Sequence, residues 1–211
     1  MLAALIDIVS PRSARTLRTV ARSEIDIPLR PAVHHLLNME ITTLTDYRDP
    51  SVQDLIRSLK YDGSGHSAHL CANILADFLQ EEISVEKSYS PRKVLLVPLP
   101  LHRARKRERG FNQIEIVLER LPPSLRDGHV ATLASHALVR TKATRQQARL
   151  ARAERIENVR NAFEVSGATD VSGSRIFLID DVTTTGATLA SAAKTLRKAG
   201  AEVTPIALAR A

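Results

Sequence analysis

Apolar residues along this chain fall into two recurring patterns, one helical and one extended, and the two alternate. Val52, Leu55, Ile56 and Leu59 recur at the spacing of one helix face. Leu70, Ile74, Leu75 and Phe78 repeat that spacing after a turn at Asp62–Gly65. Lys93–Val97 then reads as a buried strand stopped at Pro98. Ile114, Val117, Leu118 and Leu121 mark a third helix, ended by Pro122 and Pro123. Short strands are expected at Ala137–Arg140 and Phe163–Val165, with helical spacing over Gln146–Arg160 between them. Ile176–Ile179 is a continuous apolar run, the pattern of a strand buried on both faces. Leu189, Ala192, Ala193 and Leu196 share a helix face, basic residues follow, and Gly200 is the stop. A last strand is expected near Val203–Leu208, and Pro205 within it predicts an edge position. Before Tyr47 the pattern is weak. A short helix is expected over Pro31–Met39, with the adjacent His34 and His35 in surface or packing roles.

Strands alternating with helices predict an α/β fold whose mostly parallel sheet is flanked by helices on both faces. The division expected is a main domain over 46–211 and a small N-terminal extension over 1–45. No internal repeat or low-complexity segment interrupts it.

Composition narrows this picture. Hydrophobic residues make up 44% of the 211, enough for a sizeable core, but aromatics are only 3% and Trp is absent. The core must therefore be built from Leu, Ile, Val and Ala. The one cysteine, Cys71, excludes an internal disulfide framework and a cysteine-based zinc cluster, and is expected to pack as a small apolar residue. No apolar run approaches the roughly 18–20 residues of a membrane span. Met1–Val9 contains Asp7 and lacks a basic leader, so no signal peptide is expected and a cytosolic location follows. The net charge of +7 is concentrated. His102–Arg160 holds fourteen Lys/Arg against six Asp/Glu, a net of +8, which leaves the rest at −1. Such a segment attracts polyanions, whether small molecules or a nucleic acid backbone.

The most informative stretch is 176–188, I-F-L-I-D-D-V-T-T-T-G-A-T. A buried strand ends in Asp180 and Asp181, a hydroxyl-rich loop follows, and Gly186 opens a helix. Ligands of open α/β sheets bind at the carboxyl ends of strands, where this loop must lie. The helix start and the backbone N–H groups around Thr185 and Gly186 can cradle a phosphate. Thr183, Thr184, Thr185 and Thr188 add hydroxyl donors, and Gly186 lets backbone approach the ligand. Asp180 and Asp181 either accept hydrogen bonds from ribose hydroxyls or face a cation that accompanies the ligand. The parts together suit a phosphorylated ribose.

Two further segments carry charge. Val97–Gln113, V-P-L-P-L-H-R-A-R-K-R-E-R-G-F-N-Q, follows a strand directly. Its two-proline loop can offer the N–H groups of Leu99, Leu101 and His102 to an anion, ringed by Arg103, Arg105, Lys106, Arg107 and Arg109. Basic residues at a helix start are unfavourable unless an anion offsets them. Farther on, Arg145, Arg149 and Arg152 are spaced to share one helical face, and guanidinium groups bind phosphate bidentately.

The 176–188 stretch resembles the phosphoribosyl pyrophosphate (PRPP) signature of type I phosphoribosyltransferases. The resemblance implies that Asp180 and Asp181 are the catalytic pair holding the ribose 2′ and 3′ hydroxyls. It implies that Thr183, Thr184, Thr185, Gly186, Ala187 and Thr188 hold the 5′-phosphate. It places the pyrophosphate on the loop of Leu99, Pro100, Leu101, His102 and Arg103. It gives Arg145, Arg149 and Arg152 to a hood that closes over PRPP, and it implies Mg²⁺ arriving with PRPP. Members acting on 6-oxopurines usually carry Asp where this chain has Thr184, which argues against purine salvage of that type.

A narrower resemblance rests on L-K-Y-D-G (Leu59–Gly63), V-P-L-P (Val97–Pro100), R-G-F-N-Q (Arg109, Gly110, Phe111, Asn112, Gln113), T-R-Q-Q-A-R-L (Thr144–Leu150), R-I-E-N-V-R-N-A-F (Arg155–Phe163) and the Asp180–Thr188 run. This order is similar to the ComF family, phosphoribosyltransferase-like proteins linked to DNA uptake in competence. Many members carry an N-terminal four-cysteine zinc module, and this chain lacks those cysteines, so no zinc is expected. Two functions follow from the resemblance: transfer of a phosphoribosyl group from Mg-PRPP to a nitrogen nucleophile, or PRPP sensing and single-stranded DNA binding on the same fold. DNA-uptake proteins are then further candidate partners. The scarcity of aromatics weighs against single-strand binding, because such proteins usually stack bases on aromatic rings. Neither the acceptor nor the oligomeric state is readable.

Overall fold

The computed structural model describes residues 13–89, 92–142, 159 and 161–211. Six strands form its main sheet: β1 (Ala32–Leu36), β2 (Met39–Asp46), β3 (Val94–Pro98), β4 (Thr132–Leu133), β7 (Arg175–Thr183) and β8 (Glu202–Arg210). Their spatial order is β1-β2-β8-β7-β3-β4, parallel throughout except for the β1–β2 hairpin. A separate antiparallel pair joins β5 (Leu138–Arg140) to β6 (Phe163–Val165). The helices are α1 (Ala14–Val20), α2 (Pro50–Asp62), α3 (Gly65–Tyr89), α4 (Arg103–Arg109), α5 (Gln113–Leu118) and α6 (Ala187–Lys198).

Strand side chains alternate between faces, and the sheet divides its apolar residues accordingly. Val94, Leu96, Phe177, Ile179, Ile206 and Leu208 pack under α2, α3 and α5, against Val52, Leu55, Ile56, Leu59, Leu75 and Val117. Leu95, Val97, Ile176, Leu178, Val203 and Ala207 face the other way, against Leu189, Ala192, Ala193 and Leu196 of α6 and Leu138 and Phe163 of the small pair. The strands at the centre are thus apolar on both faces, which is why their sequences read as unbroken runs. Cys71 is buried in the first of these cores, as its small apolar character predicts.

Two expectations from the sequence are corrected. Pro31–Met39 is a β-hairpin rather than a helix. Leu37 and Asn38 both have positive φ, 53° and 58°, which is the twist a two-residue hairpin turn requires. Leu36 then pairs with Met39 and His34 with Ile41. His34 Nε2 meets Thr43 Oγ1 at 2.9 Å, and His35 Nδ1 lies 3.7 Å from Glu40. β8 is an interior strand rather than an edge. Pro205 is tolerated because the pairing with β2 begins one residue later, at Thr42↔Ile206, so no second ladder needs its missing N–H. β2 ends at Asp46, the residue at which the main domain is expected to begin.

Candidate functional site

The carboxyl ends of β3, β7 and β8 converge on one rim, and three separated sequence motifs meet there. α2 brings the first. It starts at Asp49, whose carboxylate accepts from Ser51 N at 2.8 Å, and it has Pro50 in its first turn. It ends at Gly63, whose φ of 58° suits glycine and whose Cβ, if present, would lie 3.3 Å from the Phe111 ring. That stop fixes the direction of the last turn and delivers Lys60, Tyr61 and Asp62.

Lys60 reaches the signature strand. Its Nζ lies 2.8 Å from Asp181 Oδ1, with 20% of the side chain exposed. The same Oδ1 accepts the Val182 N–H at 2.6 Å, and Oδ2 accepts the Gln113 side-chain amide. Gln113 in turn accepts from Arg109 Nη1 at 2.5 Å, and the Arg109 guanidinium stacks 5.8 Å from the Tyr61 ring centre. L-K-Y-D-G, R-G-F-N-Q and D-D are therefore one network. Burial opposes charge on Lys60, but Asp181 outweighs it and holds the ammonium above its ordinary range. The Cys71 thiol, buried and near Asp181, is pushed up to about 12.

The two carboxylates differ. Asp181 is buried, at 4% exposure, with both oxygens occupied. Asp180 is partly exposed, and its Oδ1 accepts the N–H of Asp181 at 2.8 Å. Desolvation at the strand ends, with Asp181 alongside, pushes the Asp180 carboxyl up to about 7, against the pull of Lys60 and Arg140. Arg140 stands on β5, its guanidinium 5.4 Å from the Phe163 ring centre, and burial and Arg105 lower its pKa.

Past the carboxylates, Thr183 ends β7 as a buried residue whose carbonyl accepts from Ala211 N at 2.9 Å. Thr184 is exposed and Thr188 half-buried, while Thr185 Oγ1 accepts from Ala187 N at 3.3 Å. Gly186 has φ 75° and is the N-cap of α6. The side of Gly186 on which a side chain would stand is filled by the β1–β2 hairpin. A Cβ here would lie 2.6 Å from Ile41 Cδ1 and 3.1 Å from Leu36 Cβ.

The loop after β3 is tied to the same rim. The N–H of Leu99, one of three expected to face an anion, donates instead to Ile179 O at 2.8 Å, extending the ladder between β3 and β7. Its carbonyl accepts from Asn112 Nδ2 at 3.1 Å. Pro100, Leu101 and His102 are partly exposed, and His102 caps α4, with Nδ1 accepting from Ala104 N at 3.2 Å. Lys106, Arg107 and Arg109 occupy the last turn of α4, where the helix dipole favours cations, so the expected need for an anion applies only to the helix start. Arg145, Arg149 and Arg152, assigned above to a hood, lie outside the described residues.

Lys60 is the site residue the sequence reasoning missed. Its signal was positional, because Lys60 continues the Val52, Ile56 line at intervals of four and so lies on the helix face turned to the sheet. Among the described residues no group of three or more His, Cys, Asp or Glu is placed to hold a metal, and no helix is long and apolar enough to cross a membrane.

Comparison with known proteins gives this rim a context. The sequence model of the family described as Phosphoribosyl transferase domain matches residues 109–210. The DNA utilization protein YhgH of Escherichia coli is 31% identical over 164 residues, covering 76% of this chain and 67% of the relative. The competence protein ComFC of Streptococcus pneumoniae is 32% identical over 152 residues, covering 72% and 60%. Among solved structures, a phosphoribosyltransferase from Corynebacterium diphtheriae aligns with 74% of this chain and 77% of its own, with a TM-score of 0.38 and 19% identity.

Proposed function

As the chain belongs to the ComF family of phosphoribosyltransferase-like proteins, we propose that it binds PRPP at this rim, in the cytosol, and transfers the phosphoribosyl group to a nitrogen nucleophile. The observation that carries the reading is the placement of Asp180. It is a partly exposed carboxylate at the end of β7, anchored beside an immobilised partner and one loop from the start of α6. Thr184, Thr185 and Thr188 are the hydroxyls in position for the 5′-phosphate, and the Pro100–Arg103 loop is the seat for pyrophosphate. In the transfer, the bond from the sugar C1′ to the pyrophosphate oxygen breaks and its electron pair leaves with pyrophosphate. The nitrogen lone pair forms the new bond to C1′. The chain contributes orientation and charge more than proton transfer. A connection to DNA utilization and competence is inferred from the names of the relatives.

Mg²⁺ is expected with PRPP, and Asp181 does not fit it as a direct ligand. Both Asp181 oxygens already have protein donors, and a lysine ammonium stands on one of them. The ion is therefore assigned to the ligand's own oxygens.

Replacing Asp180→Asn together with Asp181→Asn is expected to abolish PRPP binding in calorimetry while circular dichroism stays native. Unchanged affinity in a folded variant removes the reading. A second reading, PRPP sensing or single-stranded DNA binding without transfer, is favoured by one observation: among the described residues Arg103, Arg105 and Arg107 make no ion pair. Contacts of that kind go to phosphates and predict binding that falls steeply with salt.

A further inference from the structure

The sequence leaves open whether Asp180 and Asp181 face ribose hydroxyls or a cation, and the structure supplies a cation from the chain itself. We infer that Lys60 is the resident counter-ion of this site, a positioning residue that holds Asp181 ionised and fixed so that Asp180 is left to meet the ligand. The inference deepens the PRPP reading and rests on it for the identity of that ligand.

Three observations carry it. The contact is close, Nζ to Oδ1 at 2.8 Å, and it lies at the bottom of the site, with Asp181 buried. The carboxylate is held from three directions at once: by Lys60 of α2, by the backbone N–H of Val182 on β7 and by the Gln113 amide of α5. An anion so fixed cannot turn toward a ligand without breaking charge-assisted hydrogen bonds. The alternative is also expensive. Two adjacent carboxylates, one of them buried, repel each other without a cation, and removing one partner of a buried pair leaves an uncompensated charge. Lys60 solves this with a covalently attached cation. A divalent ion on the same oxygen would have to displace the ammonium.

The other charged or titratable groups near the pair are Tyr47, Cys71, Arg109 and Arg140, with Arg105 beyond Arg140. Arg109 reaches Asp181 only through Gln113. Lys60 is thus the cation in direct contact with Asp181 among the described residues.

The test compares Lys60→Ala, Asp181→Asn and Lys60→Ala/Asp181→Asn with wild type in thermal unfolding, and measures PRPP affinity of wild type and Lys60→Ala with and without ethylammonium. The expected result is strong coupling. Lys60→Ala lowers the melting temperature, and adding Asp181→Asn recovers more than half of that loss. PRPP affinity falls at least tenfold in Lys60→Ala, and ethylammonium, which returns a positive charge to the cavity, restores most of it while its neutral isostere ethanol does not. Additive melting losses overturn the inference, as does equal rescue by ethanol or undiminished affinity in Lys60→Ala. If folded wild type binds no PRPP, the PRPP reading falls, and the unfolding cycle alone still decides whether Lys60 is the counter-ion.

Discussion

The acidic rim and the basic lip beside it are both dense in charge and are built on opposite plans. On the acidic side every charge but that of Asp180 that shapes the rim is answered from within the chain. Asp181 has Lys60 and Gln113, while Asp62 has Arg15, Ser13 and Thr16, with Arg15 Nη2 at 2.7 Å and Ser13 Oγ at 2.6 Å. On the lip, Lys106 pairs with Glu115 at 3.1 Å and Arg109 with Gln113, but Arg103, Arg105 and Arg107 make no ion pair among the described residues. The first region is preorganised and spends its charge on holding a shape. The second keeps its charge for something that arrives. A site that must orient a sugar and accept two phosphates has use for both.

Substitutions separate the two regions by kind of effect. The largest change is expected from Gln113→Leu, which strips one donor from the buried Asp181 and leaves Arg109 without its acceptor. It should cost about 2–3 kcal/mol in denaturant unfolding, the range for orphaning buried charged partners. A loss below about half a kcal/mol would mean that the network does not organise the rim.

Acid should act next, through Asp62. The Arg15 guanidinium and two hydroxyls hold its carboxyl at about 2, below the ordinary 3.8. The unfolded chain therefore takes up the proton first as pH falls. The stabilisation is present above about pH 4 and is lost on descent to about pH 2, and it amounts to about 2 kcal/mol. Asp62→Asn should abolish that part of the acid transition, and an unaltered pH profile would contradict it.

The smallest stability effect belongs to the lip. Replacing Arg103, Arg105 and Arg107 together by Ala should leave unfolding within about 0.5 kcal/mol of wild type, as surface changes without partners usually do. Pyrophosphate affinity should nevertheless fall, and its salt dependence should flatten. A large stability loss would show that the lip is structural and break the comparison.

Much of this was legible in the sequence, for identifiable reasons. Central strands buried on both faces announce themselves as apolar runs, and helices packed on one face announce themselves by spacing, as Ile176–Ile179 and Val52–Leu59 did. What escaped were features decided by partners distant in sequence. V-H-H-L-L-N-M reads as a helix until Leu37 and Asn38 are seen to turn back, and Pro205 reads as an edge until β2 is seen to join one residue later. The same holds in the site. The signature named both carboxylates. That one is held by a lysine 121 positions earlier in the chain, and that Leu99 gives its N–H to Ile179, follows only from packing.

The account turns on Asp180 as the carboxylate that meets the ligand. The most direct measurement is PRPP calorimetry on wild type and Asp180→Asn between pH 6 and 8. Burial and Asp181 hold the Asp180 carboxyl near 7, so it is mostly protonated at pH 6 and ionised at pH 8. Wild-type affinity should therefore rise across this window. Asp180→Asn should bind about ten- to a hundredfold more weakly at pH 8, the worth of hydrogen bonds to a charged group, and should show a smaller rise, the part that remains coming from ionisation of the PRPP phosphates. Equal affinity of the two proteins at pH 8 would contradict the account.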